Sequence, residues 1–343
     1  MSVRAIGLLS GGLDSTIAVK FMKEMGIDVI AVNFFSPFCT CTHKSSGCKS
    51  QAVKVAEEFD IPIKTYFQGE EYLKMIQNPK FGYGSQMNPC VDCRIMMFAR
   101  TKEIMGELDA KFIFTGEVLG QRPMSQRKDS INKIDREAGV KGLVLRPLSA
   151  KHFNPTIPEK EGWVDREKLL DISGRSRKPQ MELANELEII EYQCASGGCL
   201  LTDKFFSNRL RDLFEYKKDV TLKDARLLKL GRQFRLSDNC KAIIGRDESE
   251  NNSIEKYQEE NDLLLFPENT KGPVTLLKLN NSTGNEESIK VAATFAAHYC
   301  KKIEGTEKVV FSLKQHNENK CDNIPETIES LQAGMKEMQE KVI

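Results

Sequence analysis

The chain has 343 residues, 40% of them hydrophobic, and a formal net charge of +1. That size and apolar content support two or three packed domains and exclude a chain too polar to fold. No apolar run is long enough to span a membrane and the N-terminus carries no signal-peptide pattern, so the expected setting is cytoplasmic with no membrane partner.

Val3 to Leu9 reads as a buried strand that Ser10, Gly11 and Gly12 break. Asp14 to Met25 reads as a helix with Ile17, Ala18, Phe21 and Met22 on one face. A strand, a glycine turn and a helix N-terminus together make an anion site, because backbone N–H groups point outward and glycines let a phosphate approach the main chain. Ser10 and Ser15 add hydroxyls, and Asp14 places a carboxylate where Mg²⁺ would lie beside a phosphate. There is no Gly-Lys-Ser/Thr, so this is not a Walker A loop. A glycine pair alone also fits an ordinary strand-to-helix turn; the weight comes from the whole stretch Ser10-Gly11-Gly12-Leu13-Asp14-Ser15.

Further along, Asp28 to Phe35 and Pro62 to Phe67 read as strands flanking a helix over 51–59. A Gly-, Asn- and Pro-rich loop, 78–93, runs into a helix from Arg94 to Met105. Lys111 to Thr115 is a fourth strand that delivers Gly116 to Pro123. Leu143 to Leu145 is a fifth, followed by Arg146-Pro147-Leu148. This βαβαβ rhythm predicts an α/β fold, a doubly wound parallel sheet with its ligand site at the carboxyl ends of the strands. Residues 150–180 are loop-rich, and a helix is expected over 179–187.

Beyond 204 the pattern changes. Helices are expected over 205–214, 221–228, within 247–262, and over 288–302. Strands are expected over 231–236, 241–244, 263–266, 274–279 and 308–313, with a polar helix over roughly 325–341. The expected organisation is a nucleotide domain at 1–190, a junction at 191–204 carrying Cys199, a smaller α+β domain at 205–318 and a peripheral helix at 319–343. Lys and Arg outnumber acids 14 to 8 over residues 122–178 and 11 to 5 over 205–246, whereas 247–270 holds eight acids and one base. Such stretches suit nucleic acid locally, although each alone also fits an ordinary solvated face.

Ten cysteines in a reducing compartment point to metal, cluster or thiol chemistry. Cys90 and Cys93 form Cys-x-x-Cys at a helix start, a position that favours thiolates. With Cys199 after its glycine pair, three readings stand: an iron–sulfur cluster, a persulfide and resolving pair, or a structural zinc. Cys39, Cys41 and Cys48, with His43 among them, follow the second strand; a second metal site and plain loop cysteines are equally open. Cys240 and Cys300 read as small buried residues, and Cys194 and Cys321 as scattered ones.

Ser10 to Ser15 resembles the signature of the pyrophosphatase-loop ATPases, which cleave ATP between the α- and β-phosphates. Together with Gly116-Glu117-Val118-Leu119-Gly120-Gln121 and Arg146-Pro147-Leu148 it is similar to the ATP domain of tRNA 4-thiouridine synthetases. Asn88-Pro89-Cys90-Val91-Asp92-Cys93 and the distant Gly197-Gly198-Cys199 resemble the cysteine pattern of 2-thiouridine synthetases. Gly231 to Leu236 and Ile244 to Asp247 resemble the RNA-binding domain of NFACT proteins. The resemblance implies an adenine nucleotide α-hydrolase-like fold and an ATP-dependent tRNA sulfurtransferase.

In that reading Ser10, Gly11, Gly12, Leu13, Asp14, Ser15, Gly116 and Gln121 bind ATP, with Mg²⁺ at Asp14. Cys90, Cys93 and Cys199 carry the sulfur chemistry, on a [4Fe–4S] cluster fed by a sulfide or persulfide donor. No rhodanese-like relay is evident in these residues, which favours the cluster route. Arg122, Arg127, Lys128, Arg175, Arg177 and Arg232 are the expected tRNA contacts. The rival expectations are a pyrophosphatase-loop synthetase acting on a small molecule and a non-catalytic RNA-binding protein.

Overall fold

The computed structural model describes residues 2–39, 48–189, 192, 199–279, 286–301, 308–315, 328–329 and 341–343. The chain divides into two compact units, Met1–Asp203 and Lys204–Ile343.

The first unit is built on five parallel strands: β1 (Arg4–Leu8), β2 (Asp28–Phe35), β3 (Ile63–Phe67), β4 (Phe112–Thr115) and β5 (Val144–Leu145). Their spatial order is β3-β2-β1-β4-β5. Both faces of β1 are buried. Ala5 and Leu9 turn to one apolar cluster and Ile6 and Leu8 to another, as the two-residue side-chain period of a strand requires. Helices α1 (Leu13–Glu24), α2 (Cys48–Glu58) and, further along, α7 (Lys178–Glu186) contribute to the first cluster through residues such as Ile17, Met22, Val55 and Ala184. Helix α4 (Cys90–Glu107) and helix α5 (Lys128–Glu137) cover the other face with Phe98, Ile104 and Ile134. Burying a side chain such as Phe98 contributes about 1.5–3 kcal/mol.

The sheet, α1, α4 and α7 match the sequence reading to within a few residues. Helices α3 (Glu70–Gln77) and α5 do not appear in that reading. Helix α3 has only two turns, with Tyr72, Leu73 and Ile76 facing inward. Helix α5 buries only Ile131 and Ile134, so its sequence reads as polar loop. A one-turn helix, α6 (Ile157–Lys160), opens with a Thr156/Glu159 capping box.

In the second unit, α8 (Lys204–Tyr216) and α9 (Leu222–Leu227) precede strands β6 (Arg232–Ser237) and β7 (Cys240–Ile244). Then come α10 (Glu248–Glu255), β8 (Leu263–Pro267), β9 (Thr275–Leu279), α11 (Glu286–His298), β10 (Lys308–Val309), β11 (Phe311–Gln315) and β12 (Ile328–Glu329). Five of these strands form an antiparallel sheet in the order β11-β8-β9-β7-β6. Phe295 and Ala296 of α11 pack on one face with Phe234 and Leu277, while Ile243, Ile254 and Leu276 fill the other. The helix expected over 325–341 is corrected at Ile328–Glu329, which pairs antiparallel with Lys308–Val309: those backbone groups find partners on a neighbouring strand. Residues 330–340 lie outside the described residues. Cys240 is buried, as expected, whereas Cys300 is half-buried.

A buried charge group ties α8 to this sheet. Asp212 accepts two bonds from Arg235, each 2.8 Å, and one of 2.9 Å from Lys241. Burial outweighs the attraction at Lys241 and brings its ammonium down to about 8, while the paired cations hold the Asp212 carboxyl below its usual range despite its own burial. Removing the shared anion strands two cations, whereas removing Lys241 leaves the Asp212–Arg235 pair intact. Asp212→Asn is therefore expected to cost ~3–5 kcal/mol and Lys241→Met under about 1 kcal/mol, read from urea unfolding of the full chain. Equal losses would contradict this account.

Candidate active site

The order of the first sheet reverses direction between β1 and β4, and at such a switch point the two following loops diverge and leave a crevice at the carboxyl edge. Residues Ser10–Ser15 leave β1 there, and Gly116–Gln121 leave β4. They enclose a cavity of about 170 Å³ whose lining includes Ser10, Gly12, Asp14, Ser15, Gly116 and Gln121.

The β1 loop is held by its own serines. Ser15 Oγ donates to the Gly12 carbonyl at 2.9 Å and accepts from the Ser10 N–H at 3.2 Å, while the two hydroxyls lie 3.1 Å apart. Gly11 has φ +78°, a left-handed conformation that a side chain would strain. Gly12 is the N-cap of α1 and has no side chain with which to cap it, so the first N–H groups of the helix open toward the crevice. Gly116 is fitted more tightly: a Cβ there would lie 2.3–2.5 Å from the backbone of Asp14 and Ser15.

Asp14 is the pivot of the pocket. Gln121 donates to its Oδ2 at 3.1 Å and Arg177 approaches the same oxygen at 3.9 Å, while Oδ1 is buried with no hydrogen-bond partner. Burial raises the carboxyl above its ordinary range, offset by Gln121, then by the Arg177 and Arg122 charges. The Gln180 amide favours the Asp14 charge as well, yet neither of its polar atoms closes a hydrogen bond, and the residue is fully buried. Sequence reading missed Gln180, because its only signal is position: it lies one helical turn beyond Arg177.

Arg122 and Arg177 were expected as RNA contacts; both line this pocket, together with Arg94. Arg94 pairs with Glu117 at 3.3 Å. Glu117 is held from the other side by buried Arg146 at 3.0 Å, which also makes a bidentate pair with Asp135. Arg146-Pro147-Leu148 thus anchors the β4 loop from beneath. Of the remaining expected contacts, Arg127 and Arg175 are exposed, and Lys128 donates to the His152 carbonyl at 3.3 Å. Arg232, in the second unit, lies 4.1 Å over the Tyr299 ring and donates to the Gly245 carbonyl.

The cysteines meet beside this pocket. Asp92 pins the 78–93 loop by accepting from the N–H groups of Lys80 and Phe81, and Pro89 caps α4, so Cys90 and Cys93 occupy its first turn. The Met87 N–H donates to the Leu201 carbonyl at 3.1 Å, and the Leu200 N–H donates to Phe38 at 2.8 Å. Those two bonds draw the segments carrying Cys39 and Cys199 to the α4 N-terminus. Cys39, Cys90, Cys93 and Cys199 are all half-buried thiols, and the Tyr72 hydroxyl donates to Cys93 Sγ at 3.3 Å. Sequence reading named three of the four; Cys39 was legible only as part of the 39–48 cluster. Cys41, His43, Cys194 and Cys321 lie outside the described residues, as does the Cys48 side chain.

The expectation of favoured thiolates at the helix start is corrected. Burial raises the Cys90 and Cys93 thiols, Arg94 and Arg122 offset Cys90 only in part, and Cys199 is pushed up to about 12. Desolvation outweighs the helix terminus here. Among the described residues, no three His, Cys, Asp or Glu side chains stand close enough to hold a single metal ion.

Comparison with known proteins bears on both units. Residues 1–154 match the family model described as thiamine biosynthesis protein (ThiI), and residues 231–333 match that of the NFACT protein RNA binding domain. The chain is similar to tRNA-specific 2-thiouridylase MnmA 1 of Caldanaerobacter subterraneus, 31% identical over 36% of this chain and 38% of the relative. It is similar to a probable tRNA sulfurtransferase of Thermococcus kodakarensis, 26% identical over 54% of this chain and 44% of the relative. It therefore spans less than half the length of these relatives. A solved 4-thiouridine synthetase–RNA complex with bound ATP superposes with a TM-score of 0.35 at 21% identity, covering 55% of this chain and 52% of that one.

The close fit at Gly116 gives a paired prediction. Gly116→Ala forces backbone apart and is expected to cost ~1–3 kcal/mol in thermal unfolding. Gly12→Ala meets nothing closer than Ser10 Oγ at 3.6 Å, so it is expected to keep the wild-type melting temperature. A Gly116→Ala melt indistinguishable from wild type would remove the contact from the account.

Proposed function

We propose that the chain is an ATP-dependent tRNA sulfurtransferase that forms AMP and pyrophosphate while replacing a uridine carbonyl oxygen with sulfur. One observation carries this reading: a pocket at the β1/β4 switch point adjoins a group of thiols, and Arg94 and Arg122, which line the pocket, both act on Cys90. The ThiI-model match over the same residues supports it.

In this reading Ser10 to Ser15 and the α1 N-terminus take the phosphates of ATP. Asp14 Oδ1, buried and without a donor, is the kind of oxygen a Mg²⁺ ion takes, and the ion would neutralise phosphate charge. Gly116 lets the β4 loop close against the phosphate loop, and Gln121 orients Asp14. The uridine oxygen attacks the α-phosphate and pyrophosphate leaves; backbone N–H groups and Arg122 stabilise the charge that develops. Adenylation turns that oxygen into a leaving group, and sulfur displaces AMP.

Cys199 lies within electrostatic reach of Cys93, Cys39 and Cys90, and thiols are the donor type of a [4Fe–4S] cluster. Cys90, Cys93 and Cys199 would hold it, and its fourth iron would supply a binding place for sulfide. Arg94 and Arg122 would offset the thiolate charge beside the pocket.

A second reading is a synthetase acting on a small molecule, since the family model matched over residues 1–154 is that of a thiamine biosynthesis protein. Release of AMP and pyrophosphate with and without bulk tRNA separates the two. The sulfurtransferase is expected to release both only with tRNA, and Asp14→Ala to release neither while keeping the wild-type melt. Turnover indifferent to tRNA would favour the small-molecule synthetase, and turnover by Asp14→Ala would remove the loop from the mechanism.

Binding of tRNA is expected to involve exposed Arg127 and Arg175 and the NFACT-like second unit. Arg127→Ala and Arg175→Ala should each weaken tRNA binding and flatten the dependence of log affinity on log salt by about 0.7–1. Unchanged slopes would exclude these two as phosphate contacts.

A further inference from the structure

We propose that a basic groove at the β5 edge of the first unit binds the tRNA backbone beside the nucleotide pocket, through Lys128, Arg136, Lys141 and Lys160. The inference rests on the tRNA reading given under the proposed function and adds a binding face to it. Arg136, Lys141 and Lys160 are not among the contacts expected from the sequence.

The groove has a volume of about 560 Å³. Helix α5 forms one side. Lys128, Asn132 and Arg136 recur there at i, i+4 and i+8, so they share one stripe of the helix, and all three line the groove. Segment 153–160 forms the other side and brings Lys160, while Lys141 stands on the turn between α5 and β5. The segment is fixed to that turn, since the Ile157 N–H donates to the Gly142 carbonyl at 2.9 Å. Its own start is fixed by the Thr156/Glu159 capping box of α6.

Charge decides what such a groove takes. Two of its lining residues are acids, and both are already paired. Asp135 accepts bonds of 2.8 and 3.0 Å from buried Arg146. Glu159 accepts from the Thr156 N–H and hydroxyl, each at 2.6 Å, and from Arg166. The cations are left over. Lys141 and Lys160 are exposed and meet no carboxylate among the described residues. Lys128 donates to a carbonyl, that of His152. Arg136 has Glu137 at 3.5 Å, a carboxylate that Lys80 holds at 2.7 Å. Four positive charges spread over three segments fit a chain of phosphates, whereas one small anion needs donors that converge on a point.

Position ties the groove to the nucleotide pocket. Gln126 lines the pocket and Lys128 lines the groove, with exposed Arg127 the single residue between them. Arg146 also joins the two, bonding Glu117 on the pocket side and Asp135 on the groove side. An RNA strand with one nucleotide at the pocket would meet cations from Arg122 through Arg127 to Lys128 and on into the groove.

Binding of bulk tRNA to the full-length protein over a salt series tests the assignment, with ATP affinity measured in parallel. Lys141→Ala and Lys160→Ala are each expected to weaken tRNA binding roughly threefold to tenfold and to flatten the slope of log affinity against log salt by about 0.7–0.9. The double variant is expected to show both effects together, and ATP affinity to stay at the wild-type value. Lys141→Arg keeps the charge and is expected to bind as wild type does. Lys64→Ala, exposed on β3 at the opposite edge of the sheet, controls for loss of net charge and is expected to change neither affinity nor slope. Wild-type affinity and slope in the double variant would overturn the groove while leaving the sulfurtransferase reading, as would an equal loss in Lys64→Ala. Loss of polyglutamate binding in the double variant, with tRNA binding intact, would assign the groove to an acidic peptide and overturn it as well. If wild type binds no tRNA, the sulfurtransferase reading itself falls, and this inference with it.

Discussion

Gly116 lies against the backbone of Asp14 and Ser15 with no room for a single extra carbon. That contact is where two loops from neighbouring parallel strands are forced together. Parallel β1 and β4 bring both carboxyl ends to one edge, and the glycine lets the loops meet instead of splaying apart. The pocket follows from it: Ser10 to Ser15 form one wall, Gly116 to Gln121 the other, and Gln121 reaches back to Asp14. A larger residue at 116 would move the Ser10–Ser15 loop.

The floor of the pocket is electrostatic. Glu117 is 3% exposed and would be costly to bury charged, but Arg146 from below and Arg94 from the side both face it. Arg146 is committed to Glu117 and Asp135, so its role is support. Arg94 also pairs with Glu117 but lines the open pocket, where its charge remains felt by Cys90. The same residue type thus serves as a strut at 146 and as a pocket cation at 94, and the difference comes from burial alone.

The parallel sheet and the Ser10–Ser15 turn were legible in the sequence because they are local. An apolar strand, a glycine turn and an amphipathic helix announce themselves within twenty residues. Helix α5 was not, since only Ile131 and Ile134 face the core and its polar remainder resembles loop. Cys39 was read only with Cys41 and Cys48, and its pairing with Cys199 was missed, because that partner is 160 positions away and no spacing rule links Phe38 to Leu200. The reading of the helix start as a thiolate site failed on energetics. A helix terminus favours charge modestly, and burial of Cys90, Cys93 and Cys199 outweighs it.

Helix α4 joins the thiols to the pocket. Cys90, Arg94 and Met97 recur at helical spacing, so one stripe carries a thiol at the N-terminus and two pocket-lining residues in the next turns. Cys93 borders that stripe, its Sγ 3.9 Å from Met97 Sδ, and Tyr72 reaches it there. A displacement of α4 along its axis would therefore shift the thiols and the pocket cation together. Loop 78–93 resists such movement through Asp92, and the bond from Met87 to Leu201 ties Cys199 to the same framework. The thiols and the pocket are thus held in register by one helix and its two tethers.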